Sequence, residues 1–257
     1  MDYKKIAQDS RKKVLQLVYK AGTSHIGSLM GCADIFAVLF EKLNLDQDKF
    51  ILSAGWKACL LYYHLWIKKR ITTKELDSYC QDGSKFIGLA EPIIPEIPFA
   101  GGSMGMGISG AVGFALAKKI NKEKGKVYVL ESDGGMNVGI TWEALAIAAH
   151  HKLNNLVLII EKNGFQAMGK NEDVLNFEPL DEKLKAFGWE IRKCDGHNYK
   201  QLERAITFPP LYADKPIVII AETIKGKGIS FMEQNNIWHY LKVDDKDYKL
   251  AMKELCL

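Results

Sequence analysis

Proline is scarce, with seven residues in 257, and no stretch rich in proline and serine separates one part of the chain from another. A flexible linker between domains is therefore excluded. At 47% hydrophobic residues, 257 positions suffice for one α/β domain over residues 1–257. The five cysteines, Cys32, Cys59, Cys80, Cys194 and Cys256, contain no Cys-x-x-Cys, which excludes a thiolate zinc site by spacing and gives no disulfide framework. Charge bias is also small. Thirty-five Lys and Arg face 31 Asp and Glu, and basic pairs such as Lys12-Lys13 and Lys118-Lys119 read as solvated helix faces, so no nucleic-acid partner is implied. No apolar run reaches membrane-spanning length, and Met1-Asp2-Tyr3-Lys4-Lys5 lacks the pattern of a signal peptide. A reduced, cytoplasmic protein with no membrane partner is the expectation.

What the chain does have is β-branched runs that end in turns. Val127-Tyr128-Val129-Leu130 leads to Ser132-Asp133-Gly134, and Leu156-Val157-Leu158-Ile159-Ile160 leads to Lys162-Asn163-Gly164. Both runs are near-continuous, as strands buried on two faces require. Between them Thr141 to His150 reads as a helix, which makes a βαβ unit. A right-handed crossover brings both strand ends to one sheet edge, where open α/β sheets bind ligands. Asp133 and Asn163 then face one hard cation, which takes oxygen ligands and completes its shell with phosphate and water. Either turn alone is better explained as an ordinary Asp-Gly or Asn-Gly connection, and the cation reading rests on the two together.

The rest of the chain alternates in the same way. Helices are expected over about Lys4–Lys20, Cys32–Leu43, Lys57–Lys69, Ile108–Ile120, Leu180–Phe187 and Tyr199–Ile206, with strands at Asp48–Ser53, Trp189–Cys194 and Pro216–Ala221. Thr23 to Ser28 reads as a polar loop, and Gly83 to Gly102 as irregular. The alternation predicts a doubly wound, mostly parallel sheet with helices on both faces. Gly105-Met106-Gly107-Ile108-Ser109-Gly110 also matches the dinucleotide pattern G-x-G-x-x-G. The preceding Ile97-Pro98-Phe99-Ala100 is too short and proline-interrupted for the strand that pattern needs, and close helix packing explains the small residues equally well.

Several stretches, in order along nearly the whole chain, resemble the N-terminal, diphosphate-binding part of transketolase. They are Ser24-His25-Ile26-Gly27, Gly102 to Gly107, Ser132-Asp133-Gly134 through Trp142-Glu143-Ala144, Asn163-Gly164-Phe165, Asp195-Gly196-His197, and Lys225 to Glu233 with Trp238-His239. The resemblance implies a thiamine diphosphate-binding fold and Mg²⁺ (or Ca²⁺) held by Asp133, Asn163 and the Phe165 carbonyl. It implies that Gly102, Ser103, Met104, Gly134, Gly135 and Ala167 line the cofactor, with His25 and His239 at the reaction centre or diphosphate. Glu143 resembles part of the link between paired cofactor sites. Gly134-Gly135 would supply the backbone N–H groups that a diphosphate needs.

The family continues into a pyrimidine-binding domain, so the resemblance implies a separate pyrimidine-domain subunit, in an α2β2 heterotetramer. Three departures fall on the substrate side. Trp56 and Leu89 stand where the family has histidines, and Val138 where it has an acidic residue. Neither Trp nor Leu supplies a ring-nitrogen acceptor. The expected donor therefore differs from the usual sugar phosphates, as a less hydroxylated ketose or a 2-oxo acid. A 2-oxo acid dehydrogenase-type α subunit has a similar metal loop, although the Lys225–His239 stretch argues against it. A degenerate, non-catalytic cofactor-binding subunit is the remaining alternative.

Overall fold

In this computed structural model, residues 1–256 are described. The β-branched runs form β1 (Lys49–Leu52), β2 (Val127–Ser132), β3 (Leu156–Lys162), β4 (Glu190–Asp195) and β5 (Ile217–Glu222). They make one sheet in the order β1-β2-β3-β5-β4, with every neighbouring pair parallel. Parallel strands need crossover segments, and those segments put helices on both faces.

Strand alternation decides which side chain meets which layer. Tyr128, Leu130, Val157, Ile159, Ile217 and Ile219 pack in one core with α1 (Tyr3–Ala21), α2 (Ile26–Lys42), α3 (Ala58–Ile67) and the C-terminal part of the chain. Their strand neighbours Val127, Val129, Leu156, Leu158, Val218 and Ile220 pack in a second core with α5 (Met106–Ile120), α6 (Gly139–His150) and α8 (Leu180–Ala186). Short α4 (Thr73–Asp77) and α7 (Asn171–Val174), and the later α9 (Tyr199–Thr207) and α10 (Asp245–Leu255), complete the helices.

The expected elements are present; α2 starts earlier than expected, and α4, α7 and α10 are additional. Helix α2 begins at Ile26, not Cys32, because His25 takes a left-handed conformation (φ 70°) and turns the polar loop directly into a helix. Helix α4 starts on a capping box of Thr72 and Glu75, and α10 on the Asp244 side chain, which accepts the Asp247 N–H. Both escaped the reading from periodicity because few of their residues are apolar and buried.

The glycine-rich segment is a packing device. A Cβ on Gly101 would lie 1.7 Å from the Leu52 carbonyl oxygen, and one on Gly107 would lie 2.5 Å from Ser53 Cα. Gly110 sits against the Phe99 ring, and no strand leads directly into the pattern. Gly101 and Gly107 let α5 and its leading loop press against the end of β1, and Gly110 lets α5 pack on Phe99, which removes the dinucleotide reading.

Candidate functional site

The carboxyl ends of β1, β2, β3 and β5 share one sheet edge, and the segments leaving them surround a cavity of about 370 Å³. Trp56 and Lys57 reach it from the 3₁₀ turn after β1, Ser132 from the end of β2, Gly134 from the 3₁₀ turn that follows it, and Lys225 from the segment after β5. The segment after β3 contributes Asn163, Phe165, Gln166 and Ala167. His25 and Ser28 enter from the start of α2, Leu89, Gly102 and Met104 from the irregular segment, and His239 and Tyr240 from the C-terminal 3₁₀ turn (Asn236–His239) and the residue after it.

Asp133 lies fully buried between Ser132 and Gly134. Its Oδ2 accepts the Asn163 N–H at 2.7 Å and the Gly164 N–H at 2.8 Å. Its Oδ1 makes no hydrogen bond of good geometry, although the Asn171 side chain stands within reach of the carboxylate, an unusual state for a buried carboxylate oxygen. Burial, with the nearby Glu161 carboxylate, pushes the Asp133 pKa up to about 7. Asn163 Oδ1 accepts the Phe165 N–H at 2.9 Å and keeps a second lone pair. The Phe165 carbonyl stands outside the small antiparallel bridge at Phe165–Lys170, whose bonds run from Asn171 N–H to Gly164 O and from Gln166 N–H to Gly169 O. The loop thus offers three oxygens of different kinds, one of them an orphan. That donor set suits a hard divalent cation. Among the described residues no group of three or more His, Cys, Asp or Glu could hold a metal, so this mixed set is the arrangement to consider.

The two histidines from opposite ends of the chain meet edge to face, with ring centroids 4.8 Å apart. The His25 N–H donates to the His239 carbonyl at 2.9 Å. Lys225 Nζ, which can only donate, lies 3.0 Å from His239 Nδ1. Neutral His239 therefore carries its proton on Nε2. Burial and the Lys225 ammonium hold the His25 pKa down at about 4 and the His239 pKa at about 3. Both rings are uncharged at neutral pH. Burial also brings the Lys225 pKa down to about 8, so most of this ammonium stays charged there.

Not every residue singled out from sequence joins the cavity. Ser103 is exposed and Gly135 is buried away from the lining. A Cβ on Gly135 would fall 2.1 Å from Glu131 Cδ, so this glycine makes room for a buried carboxylate. Glu143 is exposed on α6 beside a separate small pocket with Ile140 and Ile147. Val138 caps the start of α6 and is not among the cavity residues.

Sequence reasoning missed Lys57, Lys225, Ser28, Gln166 and the carboxylates beneath the cavity. A usable signal existed for the carboxylates: Glu131 and Glu161 interrupt runs that otherwise read as strands buried on both faces, and both are fully buried. Lys57 opens an otherwise apolar helix and is also fully buried.

Comparison with known proteins places this geometry. The family model described as "Transketolase, thiamine diphosphate binding domain" matches residues 3–256. The chain is 31% identical to one subunit of the apulose-4-phosphate transketolase of Phocaeicola vulgatus, covering 97% of this chain and 92% of that protein. It is 30% identical to a 6-deoxy-6-sulfo-D-fructose transketolase subunit of a Clostridium species, covering 95% and 93%. Against transketolase of Campylobacter jejuni the TM-score is 0.93 at 28% identity, over all of this chain but 43% of that one.

Proposed function

The chain belongs to the thiamine diphosphate-binding family of transketolases, and from that premise we propose that residues 1–257 act as the diphosphate-side subunit of a split two-carbon transferase. The names of two relatives, each called a subunit and covered over more than nine-tenths of its length, support this reading; the chain also matches 40% of the transketolase of Rhodobacter capsulatus. A pyrimidine-domain subunit would complete the site, in an α2β2 assembly in the cytoplasm. No helix among the described residues is long and apolar enough to cross a membrane.

The observation that carries the proposal is the buried Asp133 carboxylate, which is not itself a lining residue but sits between Ser132 and Gly134 of the cavity wall, holds the Asn163 N–H through Oδ2 and leaves Oδ1 without a partner. Asp133, Asn163 and the Phe165 carbonyl would hold Mg²⁺, with Gly134 and Lys225 facing the diphosphate. Bound there, thiamine diphosphate supplies the carbanion chemistry that side chains lack. The chain's own part is to bind, orient and exclude water. The uncharged rings of His25 and His239 would meet hydroxyl or phosphate oxygens, His239 through its Nε2–H. Glu143, outside the cavity, would serve the contact between paired sites.

Trp56 and Leu89 support a donor other than the usual sugar phosphates. Both side chains line the cavity, and neither offers a hydrogen bond acceptor to a substrate hydroxyl. An unpaired substrate hydroxyl in a closed site costs roughly 1–3 kcal/mol. The donor proposed is a less hydroxylated ketose or a 2-oxo acid such as pyruvate.

Two measurements test these statements. Purified alone, the chain should give no ketol transfer, and turnover without a second polypeptide would refute the split-site reading. The assembled pair, assayed on xylulose 5-phosphate and on pyruvate, should not favour the former; equal or better activity on xylulose 5-phosphate removes the altered-donor proposal.

A further inference from the structure

Beneath the candidate cation loop lies a second layer of buried charge. Glu161, in β3, is two residues before Asn163, so strand alternation points both side chains to the same face. Its Oε1 accepts the Thr223 hydroxyl at 2.7 Å, and its Oε2 accepts Lys57 Nζ at 3.0 Å. Both oxygens also lie 3.0 Å from Asn163 Nδ2. Lys57 and Glu161 are wholly shielded from solvent, each with 0% exposure.

We propose that Lys57 and Glu161 form a positioning pair that holds the Asn163 amide with Oδ1 free for the cation; this rests on the metal reading above. An ionised carboxylate only accepts hydrogen bonds, so it must face the amide NH₂ and never the amide oxygen. A flipped Asn163 would set its carbonyl oxygen against two carboxylate oxygens. The NH₂ is thus turned inward and Oδ1 outward, toward the Phe165 loop. Lys57 supplies the opposite charge that a carboxylate in a site without water requires. Burial is the largest influence and opposes its ammonium, but Glu161 together with Cys32 and Glu131 offsets it, so the Lys57 pKa stays above the ordinary lysine value. The pair also ties together three strand ends, since Lys57 follows β1, Glu161 lies in β3 and Thr223 follows β5. Outer partners of this kind commonly set metal affinity by orienting the ligand they touch.

The test uses the full chain titrated with Mn²⁺ in the presence of thiamine diphosphate, with free Mn²⁺ read by electron paramagnetic resonance. Glu161→Gln should weaken Mn²⁺ binding by about 10- to 100-fold, the usual range for such partners. Asn163→Asp alone should weaken it as well, by setting its own carboxylate against that of Glu161. The double variant Glu161→Gln/Asn163→Asp keeps the net charge and reverses the donor and acceptor roles. It should recover affinity to within about tenfold of the native chain. A residue that merely supported the fold would give no such rescue. If Glu161→Gln does not fold, the double variant decides: recovered binding supports the pair, and a folded double variant without binding overturns it. Unchanged binding in a folded Glu161→Gln overturns it too. Asp133→Asn separates the two readings, because undiminished Mn²⁺ binding in that variant removes the metal reading itself.

Discussion

An ion-binding carboxylate that is buried with a free oxygen should make the metal-free protein pH-sensitive in a direction opposite to most acidic residues. The Asp133 pKa rises from the ordinary 3.8 to about 7, chiefly through burial and then through Glu161. A gap of roughly three pH units corresponds to about 4 kcal/mol. Because the folded value lies above the unfolded one, the contribution of Asp133 is most favourable below pH 3.8 and is lost as pH rises through about 7. Between about pH 5 and about pH 8.5 the loss amounts to about 3 kcal/mol. Asp133→Asn supplies the reference, since asparagine does not titrate. Its carbonyl can still accept the Asn163 and Gly164 N–H groups, and its amide N–H left without a partner adds a pH-independent cost of about 1–3 kcal/mol. The shape of the profile is therefore the readout, and a fixed offset carries no information. Urea unfolding of both proteins, treated with a chelator, should show native stability falling relative to Asp133→Asn across that range. Saturating Mg²⁺ with thiamine diphosphate should abolish the fall. Parallel profiles within about 1 kcal/mol would refute the claim that burial and Glu161 raise the Asp133 pKa.

Two further outcomes are expected. Trp56→His, assayed in the assembled pair, should raise kcat/KM on xylulose 5-phosphate roughly three- to tenfold, the value of one net hydrogen bond of about 0.5–1.5 kcal/mol; a fall on that substrate counts against the donor argument. On α5, Gly107→Ala and Gly113→Ala should shift stability in opposite directions in urea unfolding. A Cβ at Gly107 meets Ser53 at 2.5 Å and should cost about 1–3 kcal/mol, whereas Gly113 has nothing within 4 Å and should gain about 0.5–1 kcal/mol.

Much of the architecture was legible in sequence because its physics is local. The runs at 127–130 and 156–160 needed strands with two buried faces, and the intervening helix made their parallel pairing unavoidable. The Asp133 and Asn163 turns were legible for the same reason, as the ends of those strands. Charge-rich α10 and the early start of α2 were not. The first buries only a narrow stripe, Ala251 and Leu255, and the second depends on a left-handed residue at His25. The glycine pattern at 105–110 shows the opposite error, in which a short motif had two readings and packing against Ser53 and Phe99 chose between them.

The sequence by itself determined the order of the strands and of the longer core helices, and the two turns, because each depends on neighbours a few residues away. Only the tertiary structure decided that His25 and His239, more than two hundred positions apart, share one wall, and that Lys57 and Glu161 pair beneath the cavity. Only it left Asp133 Oδ1 without a partner. Burial, charge compensation and the orientation of an amide are properties of surroundings assembled from distant segments, and no spacing along the chain encodes them.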